Sequence, residues 1–322
     1  GCRMPDAPVQ PDRCDLQTTL KTPASFADKG LHSGRPVRMV VQPASAEYGI
    51  WFRRTDVVGV DNMIPARWDS VVPSQLCTKL VNEAGVEVST VEHLMAALAG
   101  CGIHNALIDI DGPEVPILDG SAAPFVAAFL ARGLQQLDAP VRALQILETV
   151  EVQDGAARAR LSPADTLEID FHIEFEDAAI GLQEKTLNMA NGAFVRELCD
   201  CRTFCRQADV DWMHANGLAL GGVPGENAVV VDGDRVLSPG GLRHDDEAVR
   251  HKMLDALGDL ALAGAPILGR YRGHRAGHAL TNRLLRTLFA RPDAYRMVTC
   301  DAEMACRLPG AGLRPADLRA VA

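Results

Sequence analysis

Residues 135–152 read QQLDAPVRALQILETVEV, and the organisation of the chain turns on how this stretch is divided. Its polar first part, 135–140, gives way at Val141 to an apolar, strand-like run that continues to Val152. Such a change in pattern marks a boundary between folding units. The expected division is therefore a leader over 1–15, an N-terminal domain over 16–138 and a C-terminal domain over 139–322. Upstream, 37–42 (VRMVVQ) and 50–53 read as strands joined by a turn through Pro43 and Gly49. Ser89-Thr90-Val91-Glu92 has capping-box spacing and predicts a helix to about residue 99, ended by Gly100 and Gly102. The stretch 106–110 (ALIDI) alternates like a strand, and 122–132 reads as a second helix closed by Gly133. Downstream, 167–175 alternates strongly, and helical spacing returns over 192–201, 209–216, 247–263 and 279–290. Strands followed by helices, twice over, predict an α+β fold of two similarly built units, each packing a sheet against helices.

The 322-residue chain carries 42 acidic and 32 basic residues, a net charge of −10. An acidic surface argues against nucleic-acid binding, which works by displacing counterions from phosphates. A small anionic ligand is still admissible, because a few local cations suffice to hold one. Nine cysteines with no C-x-x-C pair predict reduced thiols in a cytoplasmic protein and no cysteine-based zinc site. The first fifteen residues hold three prolines and no apolar core, so they read as a disordered leader rather than a signal peptide. No apolar run reaches the roughly 20 residues that span a bilayer, so stable membrane insertion is not expected.

The stretch 247–263, EAVRHKMLDALGDLALA, holds the chemistry. At 100° per residue His251, Asp255 and Asp259 fall within about 80° of arc, with Lys252 at its edge. Met253, Leu254, Leu257 and Leu260 take the other side. A His and an Asp at i,i+4 present a nitrogen and an oxygen one helical turn apart, which suits a tetrahedral zinc. A solvated face on an amphipathic helix gives the same pattern. Gly258 leaves room for a ligand or a second backbone. In Thr90-Val91-Glu92-His93-Leu94, His93 is a candidate third ligand and Glu92 a base for a metal-bound water. The bland alternative makes Glu92 the capping acid and His93 an ordinary histidine. His278, at the start of a helix, is a candidate general acid. The positive helix end disfavours its imidazolium, so a carboxylate such as Asp259 must offset it, and His274 is a rival.

Six segments in order resemble one family, the UDP-3-O-acyl-N-acetylglucosamine deacetylases. They are Gly30-Leu31-His32-Ser33-Gly34, Thr90-Val91-Glu92-His93-Leu94, Asp119-Gly120-Ser121-Ala122, Arg202-Thr203-Phe204, the stretch from Arg250-His251 through Asp255 to Gly258-Asp259-Leu260, and Gly277-His278-Ala279-Leu280. The resemblance implies an active site between two domains. It makes His93, His251 and Asp255 ligands of Zn2+, a set that would equally accept Fe2+. Glu92 becomes the base, Thr203 an oxyanion donor, and His278 the acid oriented by Asp259. Lys252 would face a diphosphate, with Phe175, Phe204 and Arg158 as further substrate contacts. The implied reaction removes the N-acetyl group of UDP-3-O-(3-hydroxyacyl)-N-acetylglucosamine, the committed step of lipid A biosynthesis. The expected partner is this small molecule alone, bound by a monomer.

The chain departs from the family pattern at several places. Ala157 stands where a lysine is usual, and Arg158 or Arg160 is expected to supply the charge. Asp177-Ala178 replaces His-Pro after Phe175, and Cys205-Arg206 follows Phe204 where small and aromatic residues are usual. His104 replaces an acid and is expected at the surface. Two other readings stay open at this stage: a paralogue acting on a related N-acetyl sugar nucleotide, and a non-catalytic UDP-sugar-binding protein.

Overall fold

The computed structural model describes residues 14–74 and 76–319. Most of the predicted leader lies outside these residues. Its last two, Cys14 and Asp15, form an ordered turn, with the Asp15 carbonyl accepting a 2.8 Å hydrogen bond from the Val141 amide. The 135–140 stretch, read as a boundary, lies within a strand, Leu134–Pro140, paired antiparallel with Leu16–Leu20.

The fold is α+β. A five-stranded sheet runs in the order Ala24–Lys29, Pro36–Pro43, Ala106–Ile110, Ile50–Arg54, Met63–Pro65. A seven-stranded sheet is organised around Ile267–His274. That strand pairs antiparallel with Ala157–Ser162 and parallel with Leu167–Glu174 and, at its start, with Arg142–Ile146. Alternation along Leu167–Glu174 puts Leu167, Ile169, Phe171 and Ile173 inward, as the sequence pattern requires. Helices cover the inner faces, and one apolar core runs from one sheet to the other. Among the described residues no helix is long and apolar enough to cross a membrane.

Two helices meet in that core. Glu247–Leu260 is buried along its length apart from Arg250 and Lys252. Its ionisable seam is therefore not a solvated face: His251, Asp255 and Asp259 are all buried. The other helix, Glu92–Gly100, starts without the expected capping box. Ser89 ends a strand, Thr90 is left-handed at φ 59°, and no side chain caps the helix. The Thr90 hydroxyl is instead bonded to the Glu114 carboxylate at 2.8 Å, which frees Glu92 for another use.

Candidate metal centre

The two helices touch at Gly258, where a Cβ would stand 2.0 Å from the Glu92 carbonyl oxygen. Only a residue without a side chain allows that approach. It carries the first turn of Glu92–Gly100 onto the ionisable seam of Glu247–Leu260.

At this crossing His93 Nε2 lies 3.5 Å, and His251 Nε2 3.3 Å, from the same atom, Asp255 Oδ1. The two rings sit 4.9 Å apart and nearly perpendicular. His251 Nδ1 donates to the Cys201 carbonyl at 2.9 Å, which turns its Nε2 toward Asp255. Asp255 Oδ1 is buried and makes no hydrogen bond, a costly state for a carboxylate oxygen unless a cation takes it up. Burial opposes the charge on Asp255, yet His251 first, then His93 and His278, hold its carboxyl well below the usual range. Nitrogen and oxygen donors at zinc distances, about 2.0–2.2 Å, sit roughly 3.4 Å apart around a tetrahedron. The two separations above match, so the three side chains fit a divalent ion.

Glu92 is buried beside this group. Its Oε2 accepts the Thr78 amide at 3.1 Å, and its Oε1 lies 3.7 Å from His278 Nε2. Burial pushes the Glu92 carboxyl up to about 7, against the opposing pull of His278 and His93. His278 Nδ1 donates to Asp259 Oδ2 at 2.6 Å, and Asp259 Oδ1 accepts the Thr78 hydroxyl at 2.5 Å. Burial disfavours charge on the ring, but Asp259 and Glu92 outweigh it and raise His278 to about 10. The expected conflict with the helix N-terminus is thus resolved by two carboxylates.

Thr203 lies two residues after Cys201, whose carbonyl holds the His251 ring. The Thr203 amide bonds the Gly120 carbonyl, and its own carbonyl accepts the Val229 amide, both at 2.9 Å. The preceding residue, Arg202, is buried in an ion pair with Glu247 at 2.9 Å, tying this segment to the start of the helix that carries His251. Phe204 packs edge-on against Phe175 at 5.7 Å and faces the His251 ring at 6.4 Å. Lys252 Nζ sits 5.7 Å over the Phe171 ring and forms no ion pair among the described residues.

Arg158 is not brought to this site. Ala159 and Leu161 point inward, so Arg158 and Arg160 project from the opposite face of their strand. There they line an outer cleft of about 220 Å³ with Glu151, Arg272 and His274. Side-chain parity decides this: neighbouring residues on a strand face opposite sides, so neither arginine can stand in for a lysine at position 157. His274 belongs to the same outer face, stacked on His172 at 4.3 Å, which leaves His278 without a rival.

Two departures from the family pattern meet each other, since Arg206 is ion-paired with Asp177. His104, expected at the surface, is part-buried, and its Nδ1 accepts the Thr18 amide at 3.0 Å. Sequence reading missed Thr78 and Glu114. Glu114 accepts the amides of His32 and Ser33 and the Thr90 hydroxyl, and so places the loop from Gly30 to Gly34 beside the site. Gly30 makes room, since a Cβ there would meet Glu114 Oε1 at 2.2 Å. Neither residue sits in a local pattern that could have signalled it.

The family model described as UDP-3-O-acyl N-acetylglycosamine deacetylase matches residues 17–290. Among curated proteins, the UDP-3-O-acyl-N-acetylglucosamine deacetylase of Phenylobacterium zucineum (strain HLK1) is 52% identical over 290 residues, covering 90% of this chain and 99% of that protein. The protein of the same name from Idiomarina loihiensis is 46% identical, covering 90% and 94%. That from Shewanella frigidimarina is 44% identical, covering 89% and 94%.

Proposed function

The chain belongs to the UDP-3-O-acyl N-acetylglycosamine deacetylase family, and on that premise we propose that it hydrolyses the acetamide of a UDP-3-O-acyl-N-acetylglucosamine at a zinc centre held by His93, His251 and Asp255. The observation that carries the reading is the lone, buried Asp255 Oδ1 with two imidazole nitrogens 3.3 and 3.5 Å away. The site would form where an N-terminal part to residue 138, bearing Glu92 and His93, packs on the remainder. A cytoplasmic monomer is the working form.

A divalent ion at this position would polarise the acetyl carbonyl and make water more acidic. Glu92, poised near neutrality, takes a proton from the attacking water. The Thr203 hydroxyl donates to the oxygen that gains charge as the carbonyl carbon becomes tetrahedral. His278, held protonated by Asp259, passes a proton to the sugar nitrogen as the C–N bond breaks. Acetate and the free amine leave, and atoms and protons balance. Lys252 faces the diphosphate, Phe175 lies toward the nucleotide, and Phe204, packed against it, leads toward the acyl chain.

The test is acetate release from the acylated sugar nucleotide, with and without a chelator. Chelation should abolish turnover and added Zn2+ restore it. Glu92→Gln should lower kcat by about 10²–10⁴-fold while bound metal stays near wild type. Preference for the non-acylated sugar would defeat the substrate assignment, and full chelator resistance the metal assignment.

A further inference from the structure

A second cluster of metal-binding side chains lies behind the first. Asp200 and His244 are joined through Oδ1 and Nε2 at 2.8 Å, with side chains 13% and 23% exposed. The buried Cys201 sulfur is turned to the same carboxylate oxygen at 3.8 Å, and to the Glu197 carbonyl at 3.8 Å. One sulfur, one imidazole nitrogen and one carboxylate oxygen thus lie within 4.8 Å of one another. An ion pair accounts for Asp200 with His244, but not for a sulfur directed at the same oxygen.

We propose that Asp200, Cys201 and His244 form a second divalent-cation site, distinct from the His93, His251 and Asp255 group and selective for a thiophilic ion such as Zn2+. The donor set decides the class of ion. Thiolate sulfur with imidazole and carboxylate suits zinc and its neighbours and disfavours Mg2+ or Ca2+, which want oxygen alone. Bond lengths of about 2.3 Å to sulfur and 2.0–2.2 Å to nitrogen and oxygen require donors roughly 3.3–3.6 Å apart. The sulfur is already near that spacing, and the Asp200–His244 contact has to open by about half an ångström on its partly exposed side. Thiolate and carboxylate together balance the two charges of the ion.

Binding has a defined proton cost. A thiol gives up its proton to become the thiolate that binds a metal. The S–H bond therefore breaks as the sulfur–metal bond forms, and the proton leaves to water. Arg243 does not compete for the carboxylate, because its Nη1 bonds the Asp200 carbonyl and Asp119 Oδ2. The two sites share one residue: the Cys201 carbonyl fixes the His251 ring through Nδ1. An ion at the second site would therefore brace the turn that orients a ligand of the first and leads into Thr203.

Cobalt titration of the full chain tests this independently of activity. The first group offers no sulfur, so a thiolate-to-cobalt charge-transfer band does not come from it, and loss of the band in the variants below assigns it to the second site. Two equivalents should bind, one of them with that band and with release of a proton. His244→Ala should lose the band and one equivalent while keeping the other, and Cys201→Ala should do the same. A single equivalent without the band overturns the proposal, as does a band that survives in His244→Ala. The partly exposed His244 keeps the test informative if the buried Cys201 variant does not fold.

Discussion

Arg206 and Asp177, each a departure from the family pattern, form an ion pair with one another, and the second Asp177 oxygen accepts the Gly233 amide at 2.9 Å. The strand Phe204–Arg206 is thereby fastened to the turn after Phe175. That turn and strand bring together Phe175 and Phe204, the aromatic pair proposed to contact the substrate where nucleotide and acyl chain diverge. Asp177→Ala leaves the Arg206 guanidinium next to this apolar lining with only the longer 3.8 Å contacts to Glu176 and Asp209. We expect KM for the acylated substrate to rise several-fold with kcat nearly unchanged, and the double variant with Arg206→Ala to recover most of the loss. Steady-state kinetics over a series of acyl lengths checks this, and equal losses in the single and double variants would count against the pairing.

The pH profile follows from two groups with opposite requirements. Glu92, raised to about 7 by burial, works deprotonated, so activity climbs with pH through its titration. His278, raised to about 10, works protonated, so activity falls as pH rises through its own. The field of a bound divalent ion lowers both values. The expected kcat/KM profile is a bell with its acid limb below about 7 and its alkaline limb below about 10. Asp259→Asn removes the carboxylate that most supports the imidazolium and should move the alkaline limb down, with a smaller downward shift of the acid limb because Asp259 also raises Glu92.

Gly258→Ala tests the helix crossing. The added Cβ would stand 2.0 Å from the Glu92 carbonyl oxygen and 3.2 Å from the Ala96 amide nitrogen, so the helices must separate. Overpacking of this kind costs about 1–3 kcal/mol. Because the strain falls on Glu92 itself, kcat should drop by more than the stability loss explains. Thermal unfolding beside single-turnover rates separates the two effects, and a variant with wild-type turnover would show that the close approach is not needed.

What could be read in the chain follows from the range of the forces involved. The seam of His251, Asp255 and Asp259 is periodic within one helix, so local spacing reveals it. The alternation of 167–175 is equally local. The candidate third ligand, His93, had only a weak local signal, a Glu-His pair at a helix start, since it joins the others through tertiary packing at Gly258. Thr78 and Glu114 act across gaps of 181 and 82 residues, to Asp259 and His32, and no periodicity encodes such a contact. The capping box failed because Thr90 is held left-handed by Glu114, a tertiary contact overriding a local signal. Arg158 falls on the outer face for a simpler reason: moving one residue along a strand moves a charge to the other face.

His104 sets a slope in stability. Burial lowers its pKa to about 4, and its Nδ1 accepts the Thr18 amide, so the folded state keeps it neutral. The unfolded chain binds this proton near pH 6.5. Stability from this residue is whole above that pH and is lost as pH falls toward 4, on the order of 2–3 kcal/mol. His104→Gln should flatten the urea-unfolding free energy between pH 6.5 and 4 relative to wild type. Parallel curves for the two proteins would refute the assignment.

Lys252 and Arg158 carry the same charge on opposite sides of one sheet, which makes them a matched pair for locating the diphosphate. Lys252 lies over Phe171, on the inner face that the helices cover. Arg158 pairs across the strands with His274 and opens onto the outer cleft. The exposed Arg158 thus lies on the face of the sheet opposite the one Lys252 covers. Its charge there is screened by solvent within about 10 Å. Lys252→Ala should raise KM by about 10–100-fold, the loss of one charged contact of roughly 1.5–3 kcal/mol. Arg158→Ala should leave KM and kcat within a factor of about two. The same assay with free UDP as a competitor gives the corresponding inhibition constants, which should weaken only in the lysine variant. If Arg158→Ala proves the more damaging, the nucleotide crosses to the outer face and the proposed pose is wrong.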